Sequence, residues 1–432
     1  MSWFGSTIDS RRRVAAACLW LGAAALACPA AVAAQPAVGP AGESDLEADL
    51  AAAATPAELT AAELEALGAA AAADSSAAAA SKQAAAVGAA PSSAPQISLI
   101  FDGAAAAYTD AKPLQTGGHD PKRNGFNLQQ LELHMESSVD PYLHFQANIV
   151  FAQFGVEVEE AYAETMALPW GLQLKAGQML TAFGRINATH PHSWSFVDQP
   201  LMIGKFFGSE GSRGLGVQAA WLTPLPWFTE VKLATTDAAG QCCARSWLGG
   251  TDLPVRRPGD LLYTLTAKSF VPIDDDWSVT IGLSGQTGPN ASGNDNRSEV
   301  VGADLYLRYR PASDPLRRSL SLQVEHSARS RQQPGTHLVD QAGYAHLVGV
   351  FALRWEAGWR TDWGTGVSGD PLDASWTGQR TRHAAQLSFY PSHFSRVRLQ
   401  LSADVPSWRQ EPIYGAVLAL ETLIGDHGAH NF

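Results

Sequence analysis

The stretch YLHFQANIVF, residues 142–151, alternates apolar with polar or amphipathic side chains. Leu143, Phe145, Ala147, Ile149 and Phe151 share one parity; Tyr142, His144, Gln146 and Asn148 share the other. A period of two belongs to a strand with one greasy face and one hydrogen-bonding face. Its length suits a tilted membrane strand, which needs about 9–11 residues. One such strand would also fit a half-buried soluble sheet. The constraint comes from repetition, because the pattern recurs along the chain with a rhythm in its connections.

Alternation begins at Ile97, where Ile97, Leu99 and Phe101 oppose Ser98 and Asp102. It continues over 126–138, 142–151, 156–166, 172–180, 214–223, 227–236, 261–271, 277–287, 299–310, 317–329, 342–351, 355–363, 381–390, 395–405 and 411–424. Gln129-Gln130 breaks phase inside the second of these and predicts a bulge. The expectation is an all-β, antiparallel transmembrane barrel of about 16 strands, an even number as in single-chain bacterial barrels. Short connections carry Pro or Asp, as at Val139-Asp140-Pro141, Pro224-Leu225-Pro226 and Pro391-Ser392-His393. Between them fall mostly longer loops: 110–125, 181–213, 237–260, 288–298, 330–341 and 364–380. Outer-membrane barrels sort their turns and loops in this way, and a soluble sandwich has no reason to.

Trp170, Trp227 and Trp277 each sit where a short turn re-enters a strand, and Trp355 and Trp363 bracket another. Indole rings favour a membrane interface. An open sheet in lipid would leave backbone groups unpaired, so the edges must close on each other. About 16 strands enclose more space than strand side chains can fill, which leaves an aqueous lumen unless loops fold in.

The chain is 46% hydrophobic and 17% charged, yet no run after the N-terminus reaches the roughly 20 apolar residues of a membrane helix. A formal net charge of -12 argues against nucleic acid as a partner. Arg11 to Arg13, the apolar run Val14 to Ala27 and Ala31-Val32-Ala33 form a secretory signal peptide, residues 1–33. Residues 34–95 are rich in Ala and read as a periplasmic tether with transient helix. The barrel is expected over 96–432. Cys242 and Cys243 are the two cysteines of the mature chain, too few for a disulfide scaffold. A vicinal ring and two separate thiols both stay open. Phe432 ends the chain after an alternating strand and is the kind of terminal aromatic that barrel-assembly machinery reads. The other expected contacts are outer-membrane lipid and lipopolysaccharide, with a homo-oligomer left open.

Several stretches resemble a family of porin-like outer-membrane barrels whose members also carry the label zinc-regulated TonB-dependent receptor. They are Val156-Glu157-Val158-Glu159-Glu160-Ala161-Tyr162, Leu174-Lys175-Ala176-Gly177, His190-Pro191-His192-Ser193-Trp194-Ser195-Phe196-Val197-Asp198-Gln199-Pro200 and His427-Gly428-Ala429-His430-Asn431-Phe432. The resemblance covers roughly 96–432 and implies an outer-membrane barrel. TonB-dependent transporters have a plugged 22-stranded barrel, whereas this chain offers neither a plug domain nor enough strands.

Selectivity should lie on the inward face. The polar side of 156–166 offers Glu157, Glu159 or Glu160, Tyr162 and Glu164, a row of carboxylates that favours cations. Lys175, Arg308 and Arg398 stand against it on other strands. Residues 96–432 hold 26 basic and 33 acidic side chains, a net of -7. The expected function is a channel for passive diffusion of small hydrophilic solutes with weak cation or neutral preference. Two alternatives are a receptor or channel for a metal ion or its chelate, and a non-transporting structural or adhesive barrel. Loop 181–213, with His190, His192, Trp194 and Asp198, is the candidate constriction, and Gly208 to Gly214 suggests a flexible end. His190 and His192 are also the weak metal candidates; the competing reading is rim packing or a plain surface loop. No catalytic motif is present, no cofactor is expected, and the chain does not read as an enzyme.

Overall fold

The computed structural model describes residues 95–425 except 154, 252–253, 294 and 375. The leader, nearly all of the alanine-rich segment, His427, His430 and Phe432 lie outside the described residues, and with them the expectations about cleavage, tether and assembly signal.

Sixteen strands close into one antiparallel barrel in which each pairs with its sequence neighbours. They are β1 (Gln96–Tyr108), β2 (Gly125–Ser138), β3 (Leu143–Ala152), β4 (Gly155–Thr165), β5 (Leu172–Leu180), β6 (Arg213–Leu222), β7 (Phe228–Thr236) and β8 (Leu262–Pro272). The second half holds β9 (Trp277–Pro289), β10 (Arg297–Tyr309), β11 (Ser319–Gln333), β12 (Thr336–Ala352), β13 (Trp355–Gly364), β14 (Arg380–Ser392), β15 (Ser395–Pro406) and β16 (Ile413–Gly425). The seam runs from Ser98↔Gly425 to Tyr108↔Gly415, so neither edge is left unpaired.

The two faces separate as the alternation requires. Phe145, Leu174, Leu215, Leu283, Leu401 and Leu418 are exposed on the outside. Inward, Asn148, Gln286, Glu325, Arg382, Gln400 and Glu421 are buried. An apolar belt outside a closed hydrogen-bonded wall is stable in lipid. This fold places the protein in the bacterial outer membrane. Trp170, Trp227, Trp277 and Trp355 are exposed at the short-turn end, the level at which amphipathic rings sit.

Two bulges re-aim side chains. Between β1 and β2, Asp102 pairs with Gln130 and Gly103 with Leu128, leaving Gln129 as the extra residue. Between β3 and β4, Asn148 pairs with Glu160 and Ile149 with Val158, leaving Glu159 extra. The first is the bulge read from the phase break. The second turns both Glu159 and Glu160 into buried positions.

Two expectations need correction. The long loop expected over 330–341 does not exist: β11 and β12 run on as a hairpin to Gln333↔Thr336 across Pro334-Gly335. Gly335 takes φ +75°, which a tight reversal needs, and the polar run read as loop is strand. The glycines at 208 and 211 mark close packing in place of a flexible end. A Cβ at Gly208 would lie 2.1 Å from the Cys242 carbonyl oxygen.

Candidate functional site

A barrel of this size has a lumen wider than its side chains can span, and here loops fill it. The connection 181–212 between β5 and β6 turns inward and carries α1 (Leu201–Phe206), every residue of which is buried. Phe183, Ile186, Met202, Ile203, Phe206 and Phe207 of this inner loop pack with Trp247 and Leu248 of the next long loop. Wall residues Leu262, Val300, Ala342 and Tyr344 complete this apolar core. Cys242 and Cys243, joined as a vicinal disulfide, sit beside it. The Cys242 carbonyl accepts from the Glu210 N–H at 3.2 Å.

Charge pairs tie the inner loop to the wall in three places. On β13–β16, Asp198 receives Arg360 at 2.7 Å, Arg382 at 2.7 Å and the Gln400 amide at 2.8 Å. Arg360 also holds Asp362 at 2.8 Å, and Arg382 reaches Asp404 at 3.3 Å. Arg396 and Arg398 share Glu421, at 2.6 and 3.0 Å. They donate to the Trp194 carbonyl at 2.9 and 3.1 Å. Burial alone would raise the Asp198 carboxyl, but the Arg360 and Arg382 guanidiniums outweigh it and hold it below its ordinary value.

A second anchor is α1 itself. Lys205 reaches Asp340 at 2.9 Å and Asp373 at 3.3 Å, while Arg329 binds Asp340 through two nitrogens at 2.9 and 2.7 Å. Nearby, Glu325 of β11 accepts the N–H groups of Arg185 and Ile186 at 3.1 and 2.8 Å.

The third anchor, on β2–β4, uses histidine. His190 faces Glu159 at 3.0 Å through Nδ1 and Glu160 at 3.0 Å through Nε2. His192 faces Glu132 at 3.1 Å and stacks on His190 with centroids 5.6 Å apart. Burial would depress the His190 pKa, but the charges of Glu159 and Glu132 raise it well above the ordinary value. Close by, His119 of loop 109–124 pairs with Glu210 at 2.8 Å. There too burial is outweighed: Glu210 lifts the His119 pKa to about 9, and His119 holds the Glu210 carboxyl low.

The sequence-derived residues therefore sort into groups. His190, His192, Trp194 and Asp198 all lie on the inner loop inside the barrel. Of the wall candidates, Glu159, Tyr162 and Arg398 are buried against the loop or the lumen wall. Glu157 meets Arg213 in a close ion pair. Glu164 and Lys175 face each other at 3.9 Å, with Lys175 above the Tyr162 ring at 3.7 Å. Arg308 shares the inward parity of Asp304 on β10 and is half-buried. Arg382, Asp404 and Glu421 were missed, although their parity on clean strands could have found them. His119 and Glu210 lie in irregular loops, where no periodicity marks them.

The comparisons agree with this geometry. No protein-family model matches the chain. A protein of Aquifex aeolicus described as uncharacterised is 30% identical over 387 residues, covering 78% of this chain and 80% of that one. The barrel is similar to OprB of Pseudomonas putida, with a TM-score of 0.54 and 11% identity over 76% of this chain and 94% of the other. It is also similar to the outer-membrane channel DcaP of Acinetobacter baumannii, at TM-score 0.51 and 12% identity over 76% and 97%. These structural likenesses show the fold, a 16-strand porin barrel. They give no support to the TonB-dependent receptor label carried by the resemblance. The chain belongs to the same family as the Aquifex aeolicus protein, and it has the architecture of an outer-membrane porin.

Proposed function

We propose that the protein is a porin-like channel for small hydrophilic solutes, with its route narrowed by its own inner loop. One observation carries this reading: segment 181–212 lies inside a closed, polar-lined barrel and is pinned there by buried charge pairs. A structural or adhesive barrel has no need of an inward loop held at this cost, since buried ion pairs add little net stability and serve mainly to fix a position.

Lys175, Glu230, Lys232, Arg308 and Arg310 are partly exposed inward groups toward the short-turn end. In this reading they line the free part of the route. Most lumen charges are paired, so the field on a passing ion is weak. The net of -7 over residues 96–432 then favours a weak cation or neutral preference. Planar-bilayer recording tests this. The expected result is small, discrete conductance steps that grow when an anchor of the inner loop is removed. Absence of conductance in both the natural chain and the Asp198→Asn variant would remove the channel reading.

A further inference from the structure

The β2–β4 side of the inner loop borders a cavity. His119, Glu159, Glu210 and Gln199 line it together with Gly117 and Gly118. One ligand atom from each of His119, Glu159 and Glu210 lies within 4.8 Å of the others, and all three residues are buried. We propose that these three side chains form a binding site for a divalent first-row transition cation such as Zn²⁺.

Four observations carry it. The first is the orientation of the imidazole. His119 Nδ1 lies 3.0 Å from the Gln129 backbone carbonyl, so Nδ1–H donates there and Nε2 points at the carboxylates. Metal-binding histidines are held in this manner by a carbonyl on the far ring nitrogen. The carbonyl belongs to the bulge residue of β2.

The second is a cradle that only glycine permits. A Cβ at Gly118 would stand 1.5 Å from Glu210 Oε1, so any side chain there would displace the carboxylate. The third is a spare donor. Gln199 is 4% exposed and lines the same cavity, and among the described residues its Oε1 has no hydrogen-bond partner. An orphaned buried amide oxygen is costly, and a bound cation would satisfy it. The fourth is charge. An incoming dication displaces the His119 proton, and the imidazole and two carboxylates that remain carry -2, which it cancels. One nitrogen with carboxylate oxygens suits Zn²⁺ and its neighbours in the row.

Contrast sharpens the assignment. Asp340, Asp370 and Asp373 are equally clustered, but Arg329, Arg331 and Lys205 already lie against them. That group is held by guanidiniums, which keep their charge, whereas an imidazole can exchange its proton for a metal. In the His119 group Glu159 is further oriented by His190 Nδ1 at 3.0 Å, and this couples the site to the inner loop.

The test uses the full chain, purified in detergent, stripped with chelator and titrated with Zn²⁺ by calorimetry and with Co²⁺ by visible absorption. The expected result is saturable uptake of one ion. His119→Ala and Glu210→Gln should each weaken it at least tenfold, while His337→Ala, at an exposed hairpin histidine, should leave it unchanged. Heat-modifiable gel mobility checks that each variant is folded. Should a variant fail to fold, the Co²⁺ spectrum of the natural chain decides alone: intense bands of low coordination support the site, and a weak hexaaqua-like spectrum overturns it. Binding that survives His119→Ala undiminished overturns it as well, since the ion would then sit elsewhere.

Discussion

Two walls of the barrel grip the same loop, and each pairs carboxylates with a different kind of cation. On β13–β16, Arg360, Arg382, Arg396 and Arg398 supply the positive charge to Asp198, Asp404 and Glu421. On β2–β4, His190 and His192 face Glu159, Glu160 and Glu132. A guanidinium stays charged at every accessible pH and offers planar, multiple donors. An imidazole can lose its proton or exchange it for a metal. One wall is thus a fixed anchor, and the other can answer to its surroundings.

The largest effect should come from breaking the fixed anchor. Asp198→Asn leaves two buried guanidiniums short of a partner. A wholly orphaned buried charge costs about 3–5 kcal/mol, and Asp362 and Asp404 remain to limit the loss. Urea unfolding of the refolded barrel should show a destabilisation somewhat below that range, and bilayer conductance should rise. No change in either would mean that Asp198 is not what holds the loop.

Glu159→Gln on the other wall should cost less, about 1–3 kcal/mol for a weakened buried hydrogen bond, because Glu160 and Glu132 stay beside His190. A cost equal to that of Asp198→Asn would erase the distinction between the walls.

pH should separate the walls further: the raised His190 keeps its charge in acid and loses it as pH rises, so falling pH tests the carboxylate of Asp198. Against burial, the folded Asp198 carboxyl is held below the ordinary carboxylate range by Arg360 and Arg382. A depressed carboxyl contributes stability that is present above the unfolded value and lost as pH falls through the folded one. The Asp198 contacts should therefore persist from neutral pH down to about 4 and weaken only below it. Conductance recorded against falling pH reads this directly; opening above pH 5 in a His190→Ala background would contradict it.

The smallest effect is reserved for residues outside both grips. Lys175→Ala and Arg308→Ala should change stability by no more than about 0.5 kcal/mol. Each should still move the reversal potential toward cation preference, because both side chains are half-exposed in the lumen.

Strands were legible because lipid outside and water or polar packing inside impose the same two-residue period on every one of them. Even the bulge at Gln129 shows as a break in phase. The hairpin at Gln333 to Thr336 was hidden, because a strand that extends past the membrane is no longer required to carry apolar residues outward. Within the site, His190, His192 and Asp198 could be named as a group on one loop, but their partners could not. Asp198 meets Arg360 and Arg382 across separations of 162 and 184 residues, distances over which no local pattern carries information.

By itself, the order of amino acids determined a closed membrane barrel and which side chains face inward, since solvent on each face selects residue type at every second position. Whether that interior stays open was decided only by the tertiary structure. This loop enters the lumen where charges and apolar groups from distant strands converge to offset the water it gives up, and that convergence exists only once the barrel has closed.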